Sequence, residues 1–154
     1  KEYAIGNFLA NLEDFMEAVK IAKDILAREN VWAKKFISDK EKIQAAYESS
    51  RDKRLIIMEE DFEGWNEVLR NRPEPLYVVY SRPDKGFTLQ AVQENGFKSR
   101  KPLPASWRGR EKEELEEITG VQGAVFCHRE GFMAANKTME AAIKLAKIAL
   151  DKND

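Results

Sequence analysis

The stretch from Trp107 to Thr138 sets the tightest limits on what this chain can fold into. It runs Trp107-Arg108-Gly109, an acidic segment of helical character, Gly120-Val121-Gln122-Gly123, and the apolar run Ala124-Val125-Phe126-Cys127. It then continues His128-Arg129-Glu130-Gly131-Phe132-Met133-Ala134-Ala135-Asn136-Lys137-Thr138. The apolar run is too short for a helix and reads as a buried strand. Its end coincides with the only histidine of the chain, and a helical pattern follows soon after. Strand ends that lead into helix N-termini are where α/β proteins gather ligands, because unpaired backbone N–H groups collect there.

At 154 residues with 43% hydrophobic content, the chain can bury a core of its own and fits one compact domain, or one domain with an appendage. The formal net charge of −1 gives no whole-chain pull toward nucleic acid, so any basic footprint has to be local. The single cysteine, Cys127, excludes an intrachain disulfide framework and a cysteine-built zinc site, and it fits a reducing compartment. No apolar run reaches the length of a membrane span and no signal peptide is visible. The first residue is Lys1, which fits either a processed protein or a piece of a longer one.

Apolar residues at helical spacing (Leu9, Leu12, Phe15, Met16, Val19, Ile21, Ala22, Ile25 and Leu26) predict a helix from about 9 to 28, with Asn7 or Asn11 as caps. A second helix is expected from about 31 to 50, carrying Trp32, Phe36, Ile43, Ala46 and Tyr47. Its pattern breaks near Ser38-Asp39, so one kinked helix or two short ones both fit. Arg54 to Met58 reads as a buried strand, and 62–69 as a short helix stopped by Pro73 and Pro75. Leu76-Tyr77-Val78-Val79-Tyr80 and Phe87 to Val92 form an expected antiparallel hairpin around a turn at 83–86. Residues 93–110 read as an extended loop anchored by Phe97, Leu103 and Trp107. Short helical, strand and helical segments are then expected at 111–119, 124–127 and 137–152.

Several residues could carry chemistry. His128 at the strand end suits a hydrogen-bond donor or general acid toward a phosphate, or a structural pin for the next loop. Asn136, Lys137 and Thr138 sit where an anion could meet a helix N-terminus, or where a plain cap would. Lys98, Arg100, Lys101, Arg108 and Arg110, interleaved with Phe97 and Trp107, suit phosphate contact and base stacking, or a solvated loop. Glu59, Glu60, Asp61 and Glu63 could draw a divalent ion, though such a run is more often an exposed loop. No triad or Walker spacing is present.

The segment Phe97-Lys98-Ser99-Arg100-Lys101-Pro102-Leu103-Pro104-Ala105-Ser106-Trp107-Arg108-Gly109 resembles the "SF-x-x-R-x-PLP-x-x-WRG" element of the melanocyte-proliferating-gene family. Residues 120–128 resemble its "G-I-P-G-x-x-F-V-H" strand, and Gly131 to Thr138 resemble its "GFIGGNKT" element. Tyr77-Val78-Val79-Tyr80, Gln90-Ala91-Val92 and Phe62-Glu63-Gly64-Trp65 fit preceding parts of the family pattern. The resemblance covers about the last 95 residues. It implies a relative of the metal-dependent hydrolases similar to DHH-type phosphoesterases, a family whose members include a 3′→5′ RNA exonuclease. It further implies that this chain is the C-terminal, substrate-gripping part. The aspartate- and histidine-rich part that binds manganese or magnesium has no counterpart here. Where the family has paired glycines this chain has Ala134 and Ala135, and Gln122 replaces a proline.

These observations set the expectations. The fold is α/β (α+β), a mixed sheet with flanking helices like the DHH-associated domain, preceded by a helical N-terminal extension. The extension and linker span 1–52 and the substrate-binding domain 53–154. By resemblance, Arg100, Trp107, Arg108, His128, Asn136, Lys137 and Thr138 bind substrate or phosphate, with His128 supporting catalysis. No metal ligand lies in this chain. Its partners are a nucleic acid or nucleotide, single-stranded RNA foremost, and an N-terminal DHH-like catalytic domain. No membrane is involved, and a homo-oligomer stays open. The placement is intracellular and cytoplasmic, with mitochondrion or nucleus open in a eukaryote. The competing reading is a non-catalytic interaction or regulatory module. A complete small enzyme built on His128 lacks partner groups.

Overall fold

A computed structural model describes residues 2–83, 86–96 and 98–152, with side chains from residue 11 onward. The turn centre at 84–85, Phe97 and the side chain of Leu9 lie outside the described residues. In chain order the elements are α1 (Glu2–Ser49), β1 (Leu55–Ile57), α2 (Trp65–Leu69), β2 (Tyr77–Arg82), β3 (Gly86–Ala91), β4 (Gln93–Asn95), β5 (Lys98–Ser99), α3 (Lys112–Thr119), β6 (Ala124–Cys127), β7 (Met133–Asn136) and α4 (Met139–Asp151), with a short 3-10 turn at Ala105–Trp107. The chain divides into two compact units, 1–38 and 39–154, and the division falls inside α1.

Where the sequence suggested two helices or a kink near Ser38-Asp39, α1 is one uninterrupted helix. The reason is backbone chemistry. No proline occurs before Pro73, and no glycine occurs between Gly6 and Gly64, so nothing breaks the ladder of hydrogen bonds. Only the apolar pattern changes at that point. Within unit 1 the helix exposes Phe15, Met16, Leu26, Val31 and Trp32, and Trp32 stacks on Phe36. The last turns of α1 belong to the second unit. There Ile43 is fully buried, and the Asp39 carboxylate accepts from the Glu63 backbone N–H at 2.9 Å.

The second unit is built on a five-stranded mixed sheet of order β1-β2-β3-β7-β6. β1 runs parallel to β2, and every other pairing is antiparallel. This is the α+β architecture with an N-terminal helix that the sequence predicted. Side chains alternate between the two faces. Tyr77, Val79, Leu89, Ala91, Ala124, Cys127 and Ala134 face one core with Leu115 of α3 and the apolar stripe of α4. Ile56, Val78 and Tyr80 face a second core with Ile43, Phe62, Trp65 and Leu69. A strand buried on both faces reads as a continuous apolar run, which is why 77–80 shows no alternation.

Two segments differ from expectation. The stretch 93–110 is not one extended loop: β4 and β5 pair as a small two-stranded sheet. Residues 133–136 form strand β7, hydrogen-bonded to β3 on one side and β6 on the other. Met-Ala-Ala-Asn has little strand propensity, so this strand exists by pairing on both edges. Ala134 and Ala135 are therefore extended and buried. Among the described residues the only non-glycine with positive φ is Lys112, so the alanine pair carries no left-handed strain. α4 begins at Met139 rather than 137, with Thr138 as its N-cap, the hydroxyl accepting from the Ala141 N–H at 3.1 Å.

Candidate functional site

Strand β6 delivers His128 to one end of the sheet. The following turn closes with the Gly131 N–H donating to the His128 carbonyl at 2.8 Å. Nδ1 of His128 accepts from the Glu130 backbone N–H at 3.2 Å. An accepting Nδ1 leaves the proton of the neutral ring on Nε2, which is then a donor. The imidazole lies against the Phe132 ring with centroids 4.3 Å apart. Phe132 is held by its own carbonyl, which accepts from the Ala91 N–H at 2.8 Å.

Phe132 also lines a cleft of about 700 Å³, together with Gln93, Lys98, Ser99, Arg100, Pro102, Arg108 and Glu130. That volume falls within the range of roughly 300–1,000 Å³ usual for small-molecule sites. Arg108 is fixed at its root: Nε donates to the Leu103 carbonyl at 2.9 Å. Gly131 makes the space for it, since a Cβ there would stand 2.7 Å from Arg108 Nε. Among the described residues no carboxylate lies within 4.0 Å of the Arg108 guanidinium. The terminal nitrogens are left to present a planar fork of donors suited to phosphate.

The structure separates the other predicted residues. Arg100 is a structural cation: its guanidinium donates to the carbonyls of Arg70 and Arg72, both at 2.5 Å, and of Pro75 at 3.1 Å. Lys101 donates to the Leu150 carbonyl at the end of α4, and Arg110 pairs with Glu114. The basic cluster read along the sequence thus resolves into three cations engaged by the fold and two, Arg108 and Lys98, at the cleft. Trp107 is fully buried; its place allows anchoring, not stacking on a base. Asn136 is 1% exposed, and its side-chain amide has no partner.

Thr138 is engaged as the α4 cap. Lys137 is exposed, and its backbone N–H donates to the Gly123 carbonyl at 2.7 Å. Gly123 and His128 lie at opposite ends of β6, so Lys137 and His128 stand on the order of 15 Å apart at about 3.3 Å per residue. They cannot hold one phosphate together. Gln93, Ser99, Glu130 and Phe132 were not singled out from the sequence. Glu130 and Phe132 belong to the turn after the histidine, which was the one available signal; Gln93 and Ser99 arrive through the β4–β5 pairing.

Burial pushes the Cys127 thiol up to about 11, with Arg108 nearby opposing the shift; it is a buried, neutral group and no nucleophile. The acidic run does not converge. Glu60 faces Lys42 at 3.7 Å and Asp61 faces Arg82 at 3.5 Å. Among the described residues no group of three metal-ligating side chains comes together, and no helix is long and apolar enough to cross a membrane.

Comparison with known proteins adds a family. The sequence model of an uncharacterised protein family (UPF0160, MYG1_exonuc) matches residues 8–150. A MYG1 protein of Schizosaccharomyces pombe is 43% identical over 77 residues, covering 49% of this chain and 24% of the relative. The MYG1 exonuclease of Homo sapiens is 34% identical over 76 residues, covering 48% and 20%. A MYG1 protein of Caenorhabditis elegans is 30% identical over 153 residues, covering 90% and 43%. The chain thus spans less than half the length of the relatives it matches. No solved structure matches it.

Proposed function

The chain belongs to the uncharacterised protein family UPF0160, and on that premise we propose that it is the C-terminal, substrate-binding part of a metal-dependent exonuclease similar to the DHH phosphoesterases, acting on RNA or short nucleic acid. The name of the human relative, MYG1 exonuclease, supports the reaction class. The observation that carries the reading is the Arg108 guanidinium, rooted on the Leu103 carbonyl in the wall of a cleft that it lines together with Phe132.

In this reading Arg108 holds a phosphate by two parallel N–H···O contacts. The Nε2–H of His128 donates to a neighbouring oxygen, and Phe132 offers an apolar face. In the same reading manganese or magnesium would be held by a separate N-terminal catalytic part; among the described residues of this chain no three metal-ligating side chains come together. Arg100 and Trp107 anchor the segment that carries Arg108, through the carbonyls of 70, 72 and 75 and through burial in the core.

Fluorescence anisotropy with a labelled single-stranded RNA tests the reading. Binding is expected to weaken with salt, and Arg108→Ala to lower affinity by about tenfold or more, as loss of a charge-assisted contact does. The same change is expected to reduce the log–log salt slope by about 0.7, one single-strand phosphate contact. His128→Ala has a smaller effect in the same direction. Unchanged binding in both variants would remove the cleft from the function. Metal-dependent nuclease activity of this chain alone would overturn the two-part reading.

A further inference from the structure

We infer that the cleft between the β4–β5 pair and the 128–132 turn holds one unstacked nucleotide, its phosphate on Arg108 and its base flat on Phe132. The inference rests on the reading of this cleft as a nucleic-acid site and narrows it to a single nucleoside monophosphate unit. A groove that tracks a strand carries cations spaced along its length. Here they are confined. Arg108 is the one fixed guanidinium offered to the cleft, while Lys98 stands at the rim in an exposed pair with Glu94 at 3.4 Å. Arg100 lines the wall but has its guanidinium turned to the carbonyls of 70, 72 and 75. One strong phosphate position results, not a row.

The rest of the lining suits what a nucleotide carries besides its phosphate. Phe132 and Pro102 supply flat apolar surface, and Gln93 and Ser99 supply donors and acceptors at its edges. The His128 and Phe132 ring centroids lie 4.3 Å apart and the Phe132 carbonyl accepts from the Ala91 N–H, contacts that restrain the ring and its backbone before a base stacks. Glu130 is exposed at the edge. Its carboxylate pairs with Arg129 at 3.7 Å and can accept from a sugar hydroxyl.

Calorimetric titration of the unaltered chain with adenosine monophosphate, ribose 5-phosphate and inorganic phosphate tests this. Adenosine monophosphate is expected to bind at least about tenfold more tightly than either of the others, the contribution of one base on an aromatic face. Phe132→Leu is expected to remove that advantage. Equal binding of adenosine monophosphate and ribose 5-phosphate to the unaltered chain would overturn the inference, without need of a variant. If single-stranded RNA still binds through Arg108 in that case, the single-nucleotide subsite fails while the substrate-binding reading stands. If neither RNA nor the mononucleotide binds, both fall.

Discussion

Gly131 shows how one residue without a side chain can place another. Its φ of +69° disfavours any L side chain, and an added Cβ would meet Arg108 Nε at 2.7 Å and the Leu103 carbonyl at 3.1 Å. Gly131→Ala is therefore expected to lower stability by about 1–2 kcal/mol and to weaken RNA binding by displacing Arg108. Thermal unfolding and anisotropy on the same sample check both. A variant with native affinity would show that Arg108 does not need its present position. Arginines 100, 108 and 110 look alike in sequence. Their partners, respectively the carbonyls of 70, 72 and 75, the Leu103 carbonyl, and Glu114, are distant or irregular in sequence except for the last. Only the 110–114 pair, at i and i+4, could be read without a fold.

At the scale of elements, Arg100 ties the β5 segment to the C-terminal end of α2. It supplies donors to carbonyls that a helix end leaves unpaired. Arg100→Met is expected to cost about 1–3 kcal/mol of stability while leaving affinity for single-stranded RNA within about twofold, the opposite profile to Arg108→Ala. Chemical denaturation beside anisotropy distinguishes them, and a large loss of affinity in a folded Arg100→Met would return Arg100 to the site. Strands β1, β2, β3 and β6 were legible because β-branched and aromatic residues cluster there. β7 was not, because its Met-Ala-Ala-Asn sequence becomes a strand only between two partners. That strand also separates His128 from Lys137, which sequence order had placed nine residues apart and within one candidate site. The small residue at 134 fits the close approach of an alanine-rich α4, whose Ala141, Ala142, Ala146 and Ala149 share its core, while Ala135 points to the other face of the sheet.

Across the whole molecule, both cores keep an acidic group neutral. Cys127 is raised to about 11 in the first core. Tyr80 is raised to about 12 in the second, mainly by burial with Asp61 adding, and its hydroxyl donates to Gln90 Oε1 at 2.6 Å. Their ordinary values are 9.0 and 10.0. Folding thus favours the protonated forms; the contribution is full below about pH 9 and is lost as pH rises through the folded values. The melting temperature is expected to decline from about pH 9 upward, and Cys127→Ser to flatten the first part of that decline. A melting temperature unchanged between pH 8 and pH 11 would contradict this. By itself the sequence determined the local elements whose signals are short-range: the amphipathic helices, the apolar strands, the α+β class and the family motifs. The tertiary structure alone decided which side chains are available. Burial of Trp107 and Asn136, engagement of Arg100, Lys101 and Thr138, and the meeting of Arg108 with Phe132 all depend on contacts between segments far apart in the chain. Periodicity and composition carry no information about such contacts, because a side chain's partner is set by the register of strands and the packing of layers, not by its neighbours in sequence.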